Sequence, residues 1–260
     1  MNEFVAVMRR YAVDYTARGD LSVRDEIMVD DYRLHMGVHH LEGRDGAYKA
    51  AVRAQLEQFP TLGFTVHEIL TNGDRLAMRF SEHGASPRHD GRLASWPGIS
   101  TYRWNGERLT ECWVEQDYFG RARQLRGGVP DPIEPRAVDP WATEPIPADP
   151  EVEFVVRAWL EKGDLTDAER VRLDDDGPRV VLDEVTIAVD DLFAAGTRAA
   201  FHLTRRGIYD GGLPDLDPGI GCRVALAASG VVSVLGGTVI EVRAITDRLG
   251  VAKQLREVQT

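Results

Sequence analysis

The chain has 260 residues, 43% of them hydrophobic, and a formal net charge of −11. That acidic balance offers no electrostatic footprint for nucleic acid or anionic membrane. No apolar run approaches the ~18 residues of a membrane span, and the start MNEFVAVMRRYAVDYT lacks the basic flank and cleavage site of a secretion signal. Cys112 and Cys222 are too few and too far apart for a disulfide framework, so the expected setting is the reducing cytoplasm. The charge is unevenly placed. Residues 1–128 carry 17 Lys+Arg against 18 Asp+Glu, and residues 129–260 carry 14 against 24. A small neutral or apolar ligand is therefore easier to reconcile with the first half.

In chain order, residues 3–18 place Phe4, Val7, Met8, Tyr11, Ala12 and Tyr15 at helical spacing, and Gly19 ends the run. A short helix is expected from Ser22 to Met28, a brief strand over 31–36, and a long helix over 43–58 stopped by Phe59-Pro60. Strands over 64–72, 75–84, 92–104 and 108–117 follow as two hairpins, turned at Asn72-Gly73 and Asn105-Gly106. Helices first and an antiparallel sheet afterwards make this an α+β unit.

The stretch VPDPIEPRAVDPWATEPIPADP, residues 129–150, holds seven prolines. Proline fixes φ and removes a donor, so this reads as an extended strap, with Trp141 and Ile146 available to pin it to a surface. Beyond it the chain repeats itself. DYFGRARQL (117–125) matches DRLGVAKQL (247–255) at Asp, Gly, Ala, Gln and Leu, and the hairpin regions align upstream. Between first helix and first long strand, however, the second copy has no counterpart of the 43–58 helix. The division expected is 1–128, a pocket domain; 129–149, a linker; and 150–260, a degenerate copy.

The order of elements, with DDYRLH, FSEHG, WPGISTYRWNGERLTE and DYFGRARQL, resembles the SnoaL-like (polyketide cyclase-like) branch of the nuclear transport factor 2-like superfamily. The resemblance covers nearly all of residues 1–128 and is weaker over 149–260. It implies two cone-shaped α+β barrels in tandem, packed sheet to sheet as an intramolecular pseudo-dimer, with further homo-oligomerisation left open. It also implies an apolar pocket in the first barrel. Cyclases of the family carry an aspartate on the last long strand and a histidine on its neighbour; here those positions are Val114 and Ser100, a departure from the cyclase pattern.

Within that frame His35 is expected on the pocket wall as a general base, because imidazole titrates near neutral pH. Tyr102 and His83 are the acid-base or hydrogen-bonding partners. Tyr11, Tyr15 and Met36 should pad the pocket, Trp96 should sit at its mouth, and Ser100, Val114 and Gln116 should line it. Glu115 faces the opposite side unless a bulge reverses the strand, and Asp117 is expected to cap the tail turn, each a secondary candidate. His39 and His40 are read as loop residues. On one strand face His35 and His39 would stand about 13 Å apart, too far to share a metal, so neither metal nor cofactor is expected. Two functions follow: general acid-base catalysis on a small apolar metabolite (cyclase, isomerase or epoxide hydrolase type), or non-catalytic small-molecule binding or scaffolding.

Overall fold

Two twisted sheets lie back to back, each with helices on its outer face. The structure, a computed structural model, describes residues 1–167, 169–174 and 177–258. The first half runs α1 (Glu3–Arg9), continued by a π-wound stretch over Arg10–Ala17, then α2 (Val23–Ile27), β1 (Met28–Met36), β2 (His39–Glu42), α3 (Ala47–Gln58), β3 (Gly63–Thr71), β4 (Arg75–Ser86), β5 (Arg92–Trp104), β6 (Leu109–Gln116) and α4 (Tyr118–Gly127). The second half contains α5 (Pro150–Glu161), β7 (Val171–Leu173), β8 (Leu182–Ala195), β9 (Arg198–Tyr209), β10 (Arg223–Leu235), β11 (Thr238–Thr246) and α6 (Arg248–Glu257).

The sheet orders are β2-β1-β6-β5-β4-β3 and β7-β11-β10-β9-β8. In each, a short strand runs parallel to the last long one, β1 on β6 and β7 on β11, and the other pairs are antiparallel. Both hairpins expected at Asn-Gly form: Gly73 and Gly106 have φ of 99° and 94°, values that glycine adopts without strain. Two expectations change. His39 and His40 belong to β2, which turns at Gly37 and pairs back on β1 with His40 opposite His35. The long helix begins at Ala47, four residues later than expected, because Glu42 to Gly46 close the β2 turn.

The tails repeat in atomic detail. Asp117 and Asp247 each cap the following helix, accepting from Gly120 N and Gly250 N at 2.8 Å. Gln124 then bonds both backbone groups of Ser95, and Gln254 does the same to Ala225. These bonds explain the shared Asp and Gln of the two segments: they satisfy helix-end and strand groups that burial would otherwise orphan.

Between the sheets, Leu70, Ala77 and Ile99 meet Phe193, Ala195, Ala200, Val231 and Ile245. Ion pairs flank this apolar patch. Asp191 of β8 receives Arg75, Arg103 at 3.2 Å and the Thr101 hydroxyl at 2.7 Å. Arg248 reaches Asp117 at 2.6 Å, and Glu134 of the strap links Arg79 to Arg243. Trp113 is buried at this seam, stacked on His35 with the Arg103 and Arg75 guanidinium groups over its ring. The strap follows the β3 edge through Ala137 N to Val66 O and Ile146 N to Thr71 O, while Trp141 packs on the first core. No helix among the described residues is long and apolar enough to cross a membrane.

His202 supplies a pH test of the seam. Its ring lies between Glu115 Oε1 (3.0 Å) and Asp190 Oδ2 (2.9 Å). Burial pushes the imidazole pKa down, but the two carboxylates outweigh it and hold the pKa up at about 9. A raised folded pKa means the stabilisation is full below the unfolded value of ~6.5 and is lost as pH rises through about 9. Between pH 6 and 10, urea unfolding of the native chain should therefore show a loss on the order of 3 kcal/mol that His202→Gln does not show. Parallel pH curves for the two proteins would contradict this assignment.

Candidate functional site

A cavity of about 510 Å³ opens on the outer face of the first sheet. Its floor is the set of alternate residues that strand geometry turns that way: Leu34 and Met36 of β1, Phe80 and Glu82 of β4, Tyr102 of β5, Val114 and Gln116 of β6. Helix α3 supplies a wall through Tyr48, Ala51, Val52 and Gln55, the i, i+3, i+4, i+7 face of a helix. Tyr11 and Tyr15 enter from the π-wound stretch, a local winding that no feature of the sequence signals and that is frequent at functional sites. Tyr11, Tyr15, Tyr48 and Tyr102 have pKa values raised by burial, so they present neutral hydroxyls.

At one end of this largely aromatic space stands a carboxyl group. Glu82 is 4% exposed, and its Oε2 accepts from Gln55 Nε2 at 2.6 Å and from the Trp96 indole at 3.1 Å. Burial raises its pKa to about 7; Arg121 and the two hydrogen bonds pull the other way without cancelling that effect. The Trp96 indole also donates to Gln116 Oε1 at 2.8 Å. Glu82, Trp96 and Gln116 thus form one connected group. Arg121 of α4 stacks over Tyr118, Trp96 and Phe59 at 4.0, 4.9 and 5.5 Å from the ring centres.

Of the residues named from sequence, Tyr11, Tyr15, Met36, Tyr102, Val114 and Gln116 border the cavity. His35 does not. Its Nε2 meets Glu111 at 2.8 Å, its Nδ1 meets His40 at 2.7 Å, and its ring stacks on Trp113 at the seam. The reason is period two: Met36 faces the cavity, so its neighbour His35 must face away. His83 is displaced by the same rule, since Glu82 faces in; its ring instead covers Gly63 and reaches Thr65 at 3.3 Å. Trp96 is fully buried behind the cavity wall and not at a mouth. Ser100 is likewise buried, its hydroxyl near Met78 O at 3.5 Å, and does not border the cavity.

Glu115 faces the seam without a bulge at its position, accepting from Gly37 N at 2.8 Å and meeting His202. Asp117 serves as helix cap and Arg248 partner. His39, read as a loop residue, borders the cavity from β2. Glu82, Arg121, Tyr118, Gln55 and Tyr48 were missed. The alternation Met78, Phe80, Glu82 in MRFSEHG was the available signal for the first. No group of three or more potential metal ligands occurs among the described residues.

The sequence profile of the SnoaL-like domain family matches residues 8–112. This part of the chain is thus similar to the SnoaL-like domain family. Solved structures similar to it include IdmH from Streptomyces antibioticus, a candidate polyketide cyclase, at 22% identity over 46% of this chain and 96% of that one, TM-score 0.41. AclR from Streptomyces galilaeus, a candidate hydroxylase, is 19% identical over 47% and 94% of the two chains, TM-score 0.42. TsrD from Streptomyces laurentii is 21% identical over 48% and 97%, TM-score 0.43. A search of curated proteins gave no match.

The site can be probed at the Trp96 indole. Trp96→Phe keeps the ring and deletes the donor shared by Glu82 and Gln116. A hydrogen bond to a carboxylate favours its ionised form, so the Glu82 pKa should rise above about 7 in a carboxyl carbon NMR titration. Stability should fall by about 1–3 kcal/mol, as for other lost bonds to a buried charge-bearing group. An unchanged titration would show that Trp96 does not set the carboxyl.

Proposed function

We propose that the SnoaL-like domain is a general acid-base catalyst for a small, mostly apolar, ring-bearing metabolite, with Glu82 as the proton-transfer group. The observation that carries this reading is a carboxyl of pKa about 7 bordering a tyrosine-lined cavity of about 510 Å³. A general acid or base works best when its pKa lies near the working pH, and burial is the usual means of lifting a carboxyl there. In its ionised form Glu82 removes a proton from carbon next to a carbonyl. The Tyr102 and Tyr11 hydroxyls donate hydrogen bonds to the oxygen on which negative charge then grows, and protonated Glu82 returns the proton elsewhere. That sequence serves isomerisation and the enolate step of a ring closure, the chemistry for which family cyclases use an aspartate at the position of Val114.

We further infer that the second half is a degenerate copy of the first, in the division 1–128, 129–149 and 150–260. Matching the two sheets by register sets Arg205 against Glu82, Leu226 against Trp96, Thr246 against Gln116 and Val251 against Arg121. None of the four cavity groups is retained, and the interior is filled by clusters that include Trp159, Leu160, Phe201 and Val232.

A substrate-independent assay tests Glu82. Ring opening of 5-nitrobenzisoxazole needs only removal of one C–H proton as the N–O bond breaks, and the nitrile-bearing phenolate absorbs visibly. The native chain should catalyse it with a rate that rises with pH through about 7 and then levels, because the ionised carboxylate is the base. Glu82→Gln should retain the fold and lose about 10²–10⁴ of the rate. Retention of the rate in that variant would remove Glu82 from the chemistry and return the domain to a purely binding role.

A further inference from the structure

Several arginines drawn into the interior hold carboxylates: Arg24 has Asp25 and Asp45, Arg75 has Asp191, Arg79 has Glu68 and Glu134, and Arg248 has Asp117. Among the described residues Arg205 and Arg121 show no such ion pair; Arg205 is buried away from the cavity, whereas Arg121 borders it. The interactions of Arg121 among the same residues are with ring faces and, at longer range, with the Glu82 carboxyl. Ring faces satisfy the flat side of a guanidinium but none of its five in-plane N–H donors.

We propose that the cavity takes an aromatic or alicyclic carboxylate, whose anionic end is bound by the Arg121 guanidinium while the ring fills the tyrosine-lined space. This names the substrate class for the catalytic reading of Glu82 and rests on that reading for its chemistry, though not for its binding.

Three features converge on a carboxylate. Tyr118, Trp96 and Phe59 hold the guanidinium carbon within 4.0–5.5 Å of their ring centres at the cavity border, and a guanidinium so held offers a fork of paired N–H donors that match two carboxylate oxygens. Burial lowers the Arg121 pKa, the mark of a cation short of solvation that an anionic ligand would restore. Glu82, the nearby carboxyl with a pKa raised to about 7, is only partly ionised at neutral pH and so cancels the charge only in part. A neutral ligand of the same shape leaves the fork unpaired. The location also suits the reaction, because Arg121 and Glu82 flank the same Trp96 side chain.

The test measures binding by titration calorimetry at neutral pH, with 1-naphthoate and its uncharged counterpart 1-naphthamide as probes. The native chain should bind naphthoate at least tenfold more tightly than the amide. Arg121→Met should erase that preference while leaving amide affinity within threefold, and Arg121→Lys, which keeps the charge but not the fork, should retain part of it. Equal affinities, no binding of either probe, or a preference that survives in Arg121→Met would overturn the proposal. A measurement without mutation guards against a variant that fails to fold. In a crystal structure of the native chain with 1-naphthoate, the carboxylate must lie within hydrogen-bond distance of Arg121, and a carboxylate placed elsewhere also overturns it. Loss of nitrobenzisoxazole turnover in Glu82→Gln leaves these binding results untouched, so failure of one reading is distinguishable from failure of the other.

Discussion

Strand alternation at a double-sided sheet is the constraint on which the rest of this molecule depends. The first sheet is buried on both faces, one against the second sheet and one around the cavity. A polar side chain on a long strand therefore has two destinations only. Thr101, Arg103, Glu111 and Glu115 face the seam, where partners on the same sheet, on Asp191 or on His202 neutralise them. Glu82 and Gln116 face the cavity, where Gln55 and Trp96 are their partners. Moving one of these strands by one residue would turn its seam residues toward the cavity and its cavity residues, such as Glu82 of β4 or Tyr102 of β5, toward the second sheet.

That rule also explains what could be read from the sequence and what could not. The α+β order, the two Asn-Gly hairpins, the strap and the repeated tail all come from local chemistry: glycine at positive φ, proline without a donor, Asp and Gln closing a helix end. They were legible because each is decided within a few residues. Met36 and His35 were both assigned to the pocket, although adjacent residues on one strand cannot share a face. Histidine chemistry drew attention away from parity, and in FSEHG it favoured His83 over Glu82. The π-winding that brings Tyr11 and Tyr15 to the cavity, and the three-ring stack that holds Arg121, depend on tertiary packing; only parity at Phe80 and Glu82 was available beforehand.

The two halves share their tail contacts but not the groups around the cavity. The cap at Asp247 and the Gln254 bonds to Ala225 persist because removing either leaves buried backbone groups without partners. Glu82, Trp96, Gln116 and Arg121 bond or stack with one another and with side chains around the cavity, and their register partners are Arg205, Leu226, Thr246 and Val251. An enclosed carboxyl costs stability unless partners offset the lost hydration, and at Glu82 those partners are Gln55 and Trp96.

What remains of the second half still bears on the cavity. The β1–β2 turn carries Met36, His39 and Leu41 to the cavity edge, and its pivot, Gly37, is pressed against the α6 cap. A Cβ at Gly37 would lie 2.1 Å from Asp247 Oδ2, and with φ of 56° the backbone there is in the region that suits glycine. Gly37 N also donates to Glu115, whose other partner is His202 of β9. The cavity edge, the last strand of the first sheet and the second sheet are thereby joined through one residue without a side chain. The second half acts as a buttress: it fixes the hairpin that borders the cavity and covers the sheet face opposite the site.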